Sequence, residues 1–345
     1  MTNEHIKNII DNECNRILVT GSDATMTHGA MGVGLFLVWY GRFFGQKDLT
    51  DKGMQIISER CVNLSNCDPL DFHNGQVGIT MGLLYLSHIG LIEGTIGDIL
   101  KEVDDNIFKH VIKGIGYSDE NHLGTLMDIS TYFALRLRYD SFSKIDERIY
   151  SKLLSKIINS IFPTCYEALK KEPLPGCYSY GLPRFLTLIP LAMGNGFDNR
   201  LKQIITEIQH STLSQIPYMV SNRMALANAI SFLNKCMPLP ERWMQHHYIL
   251  INSIDPQNID EEYKTNQLSI YNGIGWFALQ LIINWELGNN TNKDSIDLVN
   301  HKIMQSPLLH ASYEELSKQG FLGLYGILGV IYYITMLNTI LNGKS

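Results

Sequence analysis

The sequence has little that would tie it to nucleic acid or to an oxidising compartment. No Lys/Arg-rich run occurs, and 28 basic against 34 acidic residues leave a formal net charge of −6. That balance argues against nucleic acid as the main partner. The cysteines (Cys14, Cys61, Cys67, Cys165, Cys177, Cys236) form no CxxC pair, so neither a zinc ribbon nor a dithiol motif is present. The first twenty residues mix both charge signs with apolar side chains and lack the basic start and apolar block of a signal peptide. A reduced, cytoplasmic protein is expected. Proline is sparse, glycine is spread along the whole chain, and there is no low-complexity tract or linker. Residues 1–345 are therefore expected to form one domain.

Long apolar runs are present. Gly320 to Leu341 carries no charge and is long enough to span a bilayer, and His73 to Ile92 is nearly as apolar. A membrane protein is one reading of these runs. The other is an inner layer of a large water-exposed fold, since a helix that is apolar all round can be wholly buried by its neighbours. Comparable segments contain Arg136, Arg184 or Glu286, and charged amphipathic stretches separate them. No membrane insertion is expected.

The apolar segments share an opening. Residues 28–36 read HGAMGVGLF, residues 74–84 NGQVGITMGLL and residues 322–330 LGLYGILGV. The common core is Gly-x-x-Gly followed by an apolar helix. Weaker copies begin at Leu123, Tyr180 and Asn272, and another at Ser221 has Asn222 in place of the glycine. The anchors fall at 29, 75, 124, 181, 222, 273 and 323, a period near fifty repeated seven times. Between them lie amphipathic segments at 3–19, 47–64, 146–162, 198–210 and 241–254, with apolar residues every three to four positions. Asp48, Asp146, Asp198 and Glu241 sit at or near their starts, where acidic groups suit the helix dipole.

Two helix classes imply two layers. The expected fold is all-α: an α/α toroid of seven helical hairpins, apolar Gly-headed helices inside and amphipathic helices outside. The glycines are read as packing positions, where backbone can approach closely. They are not phosphate loops, because no strand precedes them and no Lys-Ser/Thr follows.

In this repeat grammar, over essentially the whole chain, the sequence resembles the lanthionine synthetase C-like family. The resemblance implies a toroid whose inner helices begin with Gly-rich motifs. It also implies zinc at one mouth, activating substrate cysteine thiolates for attack on dehydroamino acids. Zinc suits that chemistry because it binds thiolate and imidazole and lowers the thiol pKa. The family's ligands come from a Trp-Cys-x-Gly in the fifth repeat and a Cys-His-Gly in the sixth, and a histidine precedes the fourth-repeat glycine. In this chain those positions hold Val220, Tyr271-Asn272 and Tyr180. The chain departs from the family at each ligand and at the histidine, while Glu120 lies near the family's third-repeat aspartate. The implied function is therefore a peptide-modification protein without zinc-dependent cyclase activity. It would bind a precursor peptide in its cavity, and a partner modification enzyme is the second partner this reading allows. No cofactor is expected unless the zinc site has been relocated.

Polar residues just before the inner-helix glycines are the candidate cavity lining: His28, His73, Asn74, His122, Tyr271 and Asn272, with Glu120 and Tyr180 as candidate catalytic groups. His28, His73 and His122, from successive repeats, are the candidate ligands of a relocated zinc with an open position. Alternatives remain open. A carbohydrate-acting toroid would use two carboxylates, for which Asp71, Glu120 and Asp128 stand near inner-helix starts. A purely protein-binding scaffold would need no chemistry. Asp104-Asp105 reads as a solvated helix face rather than a magnesium site.

Overall fold

In a computed structural model, the chain is described at residues 2–20, 23–61, 70–93, 96–114, 122–140, 143–174, 176–263, 267–271 and 273–343. All regular structure among these residues is helical. Amphipathic and apolar helices alternate. They begin with α1 (Asn3–Thr20) and α2 (Ala30–Phe43), then α3 (Lys47–Arg60) and α4 (Gln76–His88), then α5 (Ile96–Gly114) and α6 (Leu123–Tyr139). Next come α7 (Lys144–Lys170) with α8 (Gly181–Ala192), and α9 (Asp198–Leu213) with α10 (Val220–Cys236). α11 (Glu241–Asn252) and the short α12 (Pro256–Glu262) lead to α13 (Ile274–Glu286). α14 (Lys293–Met304) and the short α15 (Tyr313–Lys318) lead to α16 (Ile327–Leu341).

The two classes bury themselves differently. On α3 only Gly53, Ile56 and Ile57 are buried, and on α9 a stripe of Leu201, Ile204, Ile205 and Ile208. On α2, α4, α10 and α13 buried residues lie on most sides. Each apolar helix packs on the next: α2 on α4, α4 on α6, α6 on α8, α8 on α10, α10 on α13, α13 on α16, and α16 back on α2. The ends of the chain are tied at this last contact. The Thr27 carbonyl accepts from Leu324 N at 2.9 Å, and the buried Glu13 carboxylate accepts from Gly323 N at 3.0 Å and from the Tyr313 hydroxyl at 2.7 Å.

The Gly-x-x-Gly motif has a local cause. Gly29, Gly75 and Gly273 are the N-caps of α2, α4 and α13, all with negative φ. Their role is closeness rather than left-handed backbone. The loop entering each helix crosses its first turn, so a Cβ at Gly32 would strike the Met26 carbonyl and one at Gly78 the Phe72 carbonyl. The last repeat is registered differently from the sequence expectation. Gly326, not Gly323, is the N-cap of α16. Gly320 and Gly323, at φ +65° and +68°, turn the chain before it. The uncharged run from Gly320 is thus part turn and part helix, and no helix among the described residues is long and apolar enough to cross a membrane. The third and fifth repeats lack the close crossing: nothing lies within contact of a Cβ at Gly124, and Asn222 is the third residue of α10.

Asp104 also departs from expectation. It is buried, not solvated, and accepts from the hydroxyls of Tyr132 (2.5 Å) and Tyr150 (3.0 Å) and from Arg136 (3.2 Å). Asp105, the next residue around α5, is exposed. The pair is split by the helix period, and Asp104 is a structural anchor between α5, α6 and α7.

Candidate functional site

The segments that enter the apolar helices carry polar and aromatic side chains to one place. His73, two residues before the N-cap of α4, is its centre. Its Nδ1 shares a 2.8 Å hydrogen bond with the Tyr325 hydroxyl. The rings of Tyr178, Tyr271 and Tyr325 stand edge-on to the imidazole with centroids 5.3, 5.5 and 5.3 Å away. Tyr178 in turn meets Trp276 edge-on at 6.1 Å. These residues belong to the entries or first turns of α4, α8, α13 and α16, so helices distant in sequence must converge to assemble them. The backbone adds a link, because Tyr178 N donates to the Tyr271 carbonyl at 3.2 Å.

A buried ion pair supports the cluster. Asp128 on α6 accepts from Arg184 on α8 at 2.5 Å, from the Tyr178 hydroxyl at 3.2 Å and from Phe72 N at 3.3 Å. The Arg184 guanidinium also lies over the Tyr178 ring, 4.4 Å from its centroid. The pair thereby fixes both the tyrosine and the loop that presents His73. Burial pushes the Asp128 carboxyl above its ordinary value, against the pull of Arg184 and the Phe72 N–H. Burial lowers the His73 pKa, partly opposed by Asp128 and Asp71. The imidazole is therefore kept neutral, able to accept or donate one hydrogen bond at each nitrogen. Burial also holds the phenols of Tyr178 and Tyr325 well above their ordinary range. The result is a neutral, aromatic, hydrogen-bonding surface, suited to flat or amide groups.

The expected site residues divide. His73 and Tyr271 come together, and Tyr271 is 39% exposed. Asn74 lies beside them, exposed, and accepts from Thr27 Oγ1 at 3.1 Å while its own N–H is held by Asp71 at 2.7 Å. His28 is exposed and bonded through Nδ1 to the Leu322 carbonyl at 2.9 Å. His122 is exposed at the N-cap of α6. Among the described residues no group of three or more His, Cys, Asp or Glu is placed to hold a metal ion, so these three histidines do not form one. Tyr180 is buried in the core at 2% exposure with its hydroxyl 3.4 Å from Gln215, which removes it from the aromatic cluster. Its place is taken by Tyr178. Glu120 and Asn272 lie outside the described residues.

Sequence reasoning missed Tyr178, Tyr325 and Trp276 as site residues and used Arg184 only as a charge. One signal was available for Tyr325. Anchoring the last repeat on Gly326 puts Tyr325 in the slot that His28, Asn74 and Asn272 occupy before their own glycines. At the fifth repeat Val220 is buried, and its N–H donates to Glu262 at 2.5 Å. Glu172 accepts from Tyr218 N, Met219 N and Asn222 Nδ2 at 2.7 to 3.0 Å. Two carboxylates thus satisfy the start of α10 where the glycine motif is missing.

A groove of about 1150 Å³ lies elsewhere, between α1, the start of α3 and the C-terminal ends of α2 and α16. It contains none of the candidate residues. No family model matches the chain, and no curated protein matches it significantly.

Proposed function

We propose that this protein is a lanthionine synthetase C-like α/α toroid that binds a ribosomally made precursor peptide at the mouth formed by the starts of its inner helices, without zinc-dependent cyclase chemistry. The cyclic packing order of seven apolar helices supports the toroid. One observation carries the binding reading: His73, Tyr178, Tyr271 and Tyr325 converge from three non-consecutive hairpins and the last, onto a surface rich in aromatic faces and neutral hydrogen-bonding groups. Such a surface recognises peptide by stacking and by bonds to amides. A cytoplasmic location, and a partner enzyme that performs the modification, belong to the same proposal.

The chemistry of the cluster favours binding over turnover. Asp128 is engaged by Arg184, Tyr178 and a backbone N–H, which leaves it a positioning residue rather than a free general acid. The positions corresponding to the family's zinc ligands hold Val220, Tyr271 and Asn272, of which none is an ordinary zinc ligand. The test is a titration of the purified protein with a labelled synthetic peptide rich in Ser, Thr and Cys, read by fluorescence anisotropy, with elemental analysis of the same sample. Saturable binding that weakens about ten-fold or more in Tyr271→Ala, as for a stacking contact at a binding centre, supports the proposal. Binding indifferent to Tyr271→Ala and His73→Ala, or near-stoichiometric zinc, overturns it.

A further inference from the structure

The groove away from His73 opens at the seam where the last apolar helix meets the first. One wall is a face of α1, with Asn3, Ile6 and Ile10, and the other a face of α16, with Ile334, Asn338 and Asn342. Residues on each wall recur every three or four positions, so each helix offers one continuous face. The C-terminal end of α2 closes one side with Phe43 and Phe44, 42% and 47% exposed. Glu13 fastens α1 to the last repeat. The half of α1 before Glu13 stands apart from α16, and the groove is the space between them. Ile10 and Ile331 line it although both are almost wholly shielded from water. An apolar recess of this kind forfeits packing contacts that an inserted side chain restores.

Size decides the class of occupant. The α16 wall from Ile331 to Asn342 is about 16 Å long at 1.5 Å per residue. A volume of about 1150 Å³ over that length gives a cross-section of about 70 Å², close to that of an α-helix about 10 Å across. The volume also exceeds the usual range for a small-molecule cavity. Charge decides the flanks of such a helix. Lys7, Asp11, Lys47 and Asp48 border the groove. Asp11 lies 3.9 Å from Lys52, and Asp48 sits in the first turn of α3, where the helix dipole suits it. Among the described residues neither Lys7 nor Lys47 forms an ion pair. Lys47 also begins α3, an end where a cation is disfavoured. The uncompensated charge at the rim is therefore positive.

We propose that the groove between α1 and α16 docks an amphipathic α-helix of a partner protein, apolar face inward and acidic residues along its flanks. Its anchors, at helical spacing, fill the recess between Ile6, Ile10 and Ile334 and cover Phe43, while its carboxylates meet Lys7 and Lys47. The groove uses none of the residues around His73, so this inference does not rest on the peptide-binding reading.

The test is fluorescence anisotropy with full-length protein and three labelled synthetic peptides. The first carries leucine at i, i+3, i+4 and i+7 with glutamate on its flanks. The second has lysine for each glutamate, and the third keeps the composition of the first with the leucines dispersed. The expected result is saturable binding of the first, about five-fold or more weaker for the second and third. Binding of the first should also weaken about five-fold or more in Phe43→Ala, and likewise in the double variant Lys7→Glu/Lys47→Glu. All three side chains are exposed, so both variants are expected to keep the helical circular dichroism of the parent. No saturable binding, equal binding of the three peptides, or a loss in Tyr271→Ala in place of Phe43→Ala overturns the proposal. Saturable uptake of dodecanoate without binding of the first peptide assigns the groove to a lipid chain and overturns the helix. A dimer in light scattering that Phe43→Ala dissociates assigns it to a second copy and does the same.

Discussion

His73 is held neutral by its surroundings, and this has a pH signature. Its folded pKa is lowered from the ordinary 6.5, so the fold favours the uncharged ring. The stability this contributes is present in full above pH 6.5 and is lost as pH falls through the lowered folded value. An NMR titration is expected to place the His73 midpoint below 6.5, and a midpoint at or above that value would contradict the burial argument. Asp128 and Arg184 make the second residue-scale prediction. Both are largely buried, with side chains 7% and 15% exposed. Removing one partner of such a pair leaves the other charge unsatisfied, so Arg184→Leu is expected to cost about 3 kcal/mol in urea denaturation. The double variant Asp128→Asn/Arg184→Leu should recover part of that loss, because it leaves no unpaired charge.

At the scale of the helix, the Gly-x-x-Gly positions look alike in sequence and differ in space. A Cβ at Gly78 would overlap the Phe72 carbonyl, a backbone atom that cannot swing aside. Gly78→Ala is therefore expected to destabilise by about 3 kcal/mol or more, in the range of overpacked core sites. Gly124 has open space around its Cα. Gly124→Ala should be tolerated, and by helix propensity alone it gains up to about 1 kcal/mol. Thermal melts of the two variants side by side check the contrast. Equal losses would contradict the close approach of the Phe72 carbonyl as the cause of the difference between the two sites.

At the scale of the whole molecule, the first and last helical pairs depend on each other. Glu13 on α1, paired with Arg16 one turn along, accepts from Tyr313 and the Gly323 N–H, 300 and 310 residues away in sequence. Glu13→Ala removes the acceptor of the Tyr313 hydroxyl and the Gly323 N–H, and the expected loss is about 3 kcal/mol, as for other buried charged hydrogen bonds. Hydrogen exchange should then rise in α1 and α16 together. A rise confined to α1 would show that the contact ornaments one helix rather than fastening the two ends.

Much of this was legible from spacing. The alternation of apolar and amphipathic helices follows from hydrophobic period alone, because a helix surrounded by protein and a helix facing water need different patterns. The outer segments expected at 47–64, 198–210 and 241–254 match α3, α9 and α11 closely, with ends adjusted by a few residues. That His73 and Tyr271 stand together was legible from their place before a helix-capping glycine. What the spacing could not decide was direction. Tyr178 and Tyr180 are two residues apart in one loop, and only the packing of α8 sends the first to His73 and the second into the core. Asp104 reads as a surface residue until Tyr132, Arg136 and Tyr150 arrive from other helices. The sequence by itself determined the helices, their two classes and their period, since these are local. Only the tertiary structure decided which side chains meet, because those contacts join residues dozens to hundreds of positions apart, and nothing in local propensity distinguishes one such partner from another.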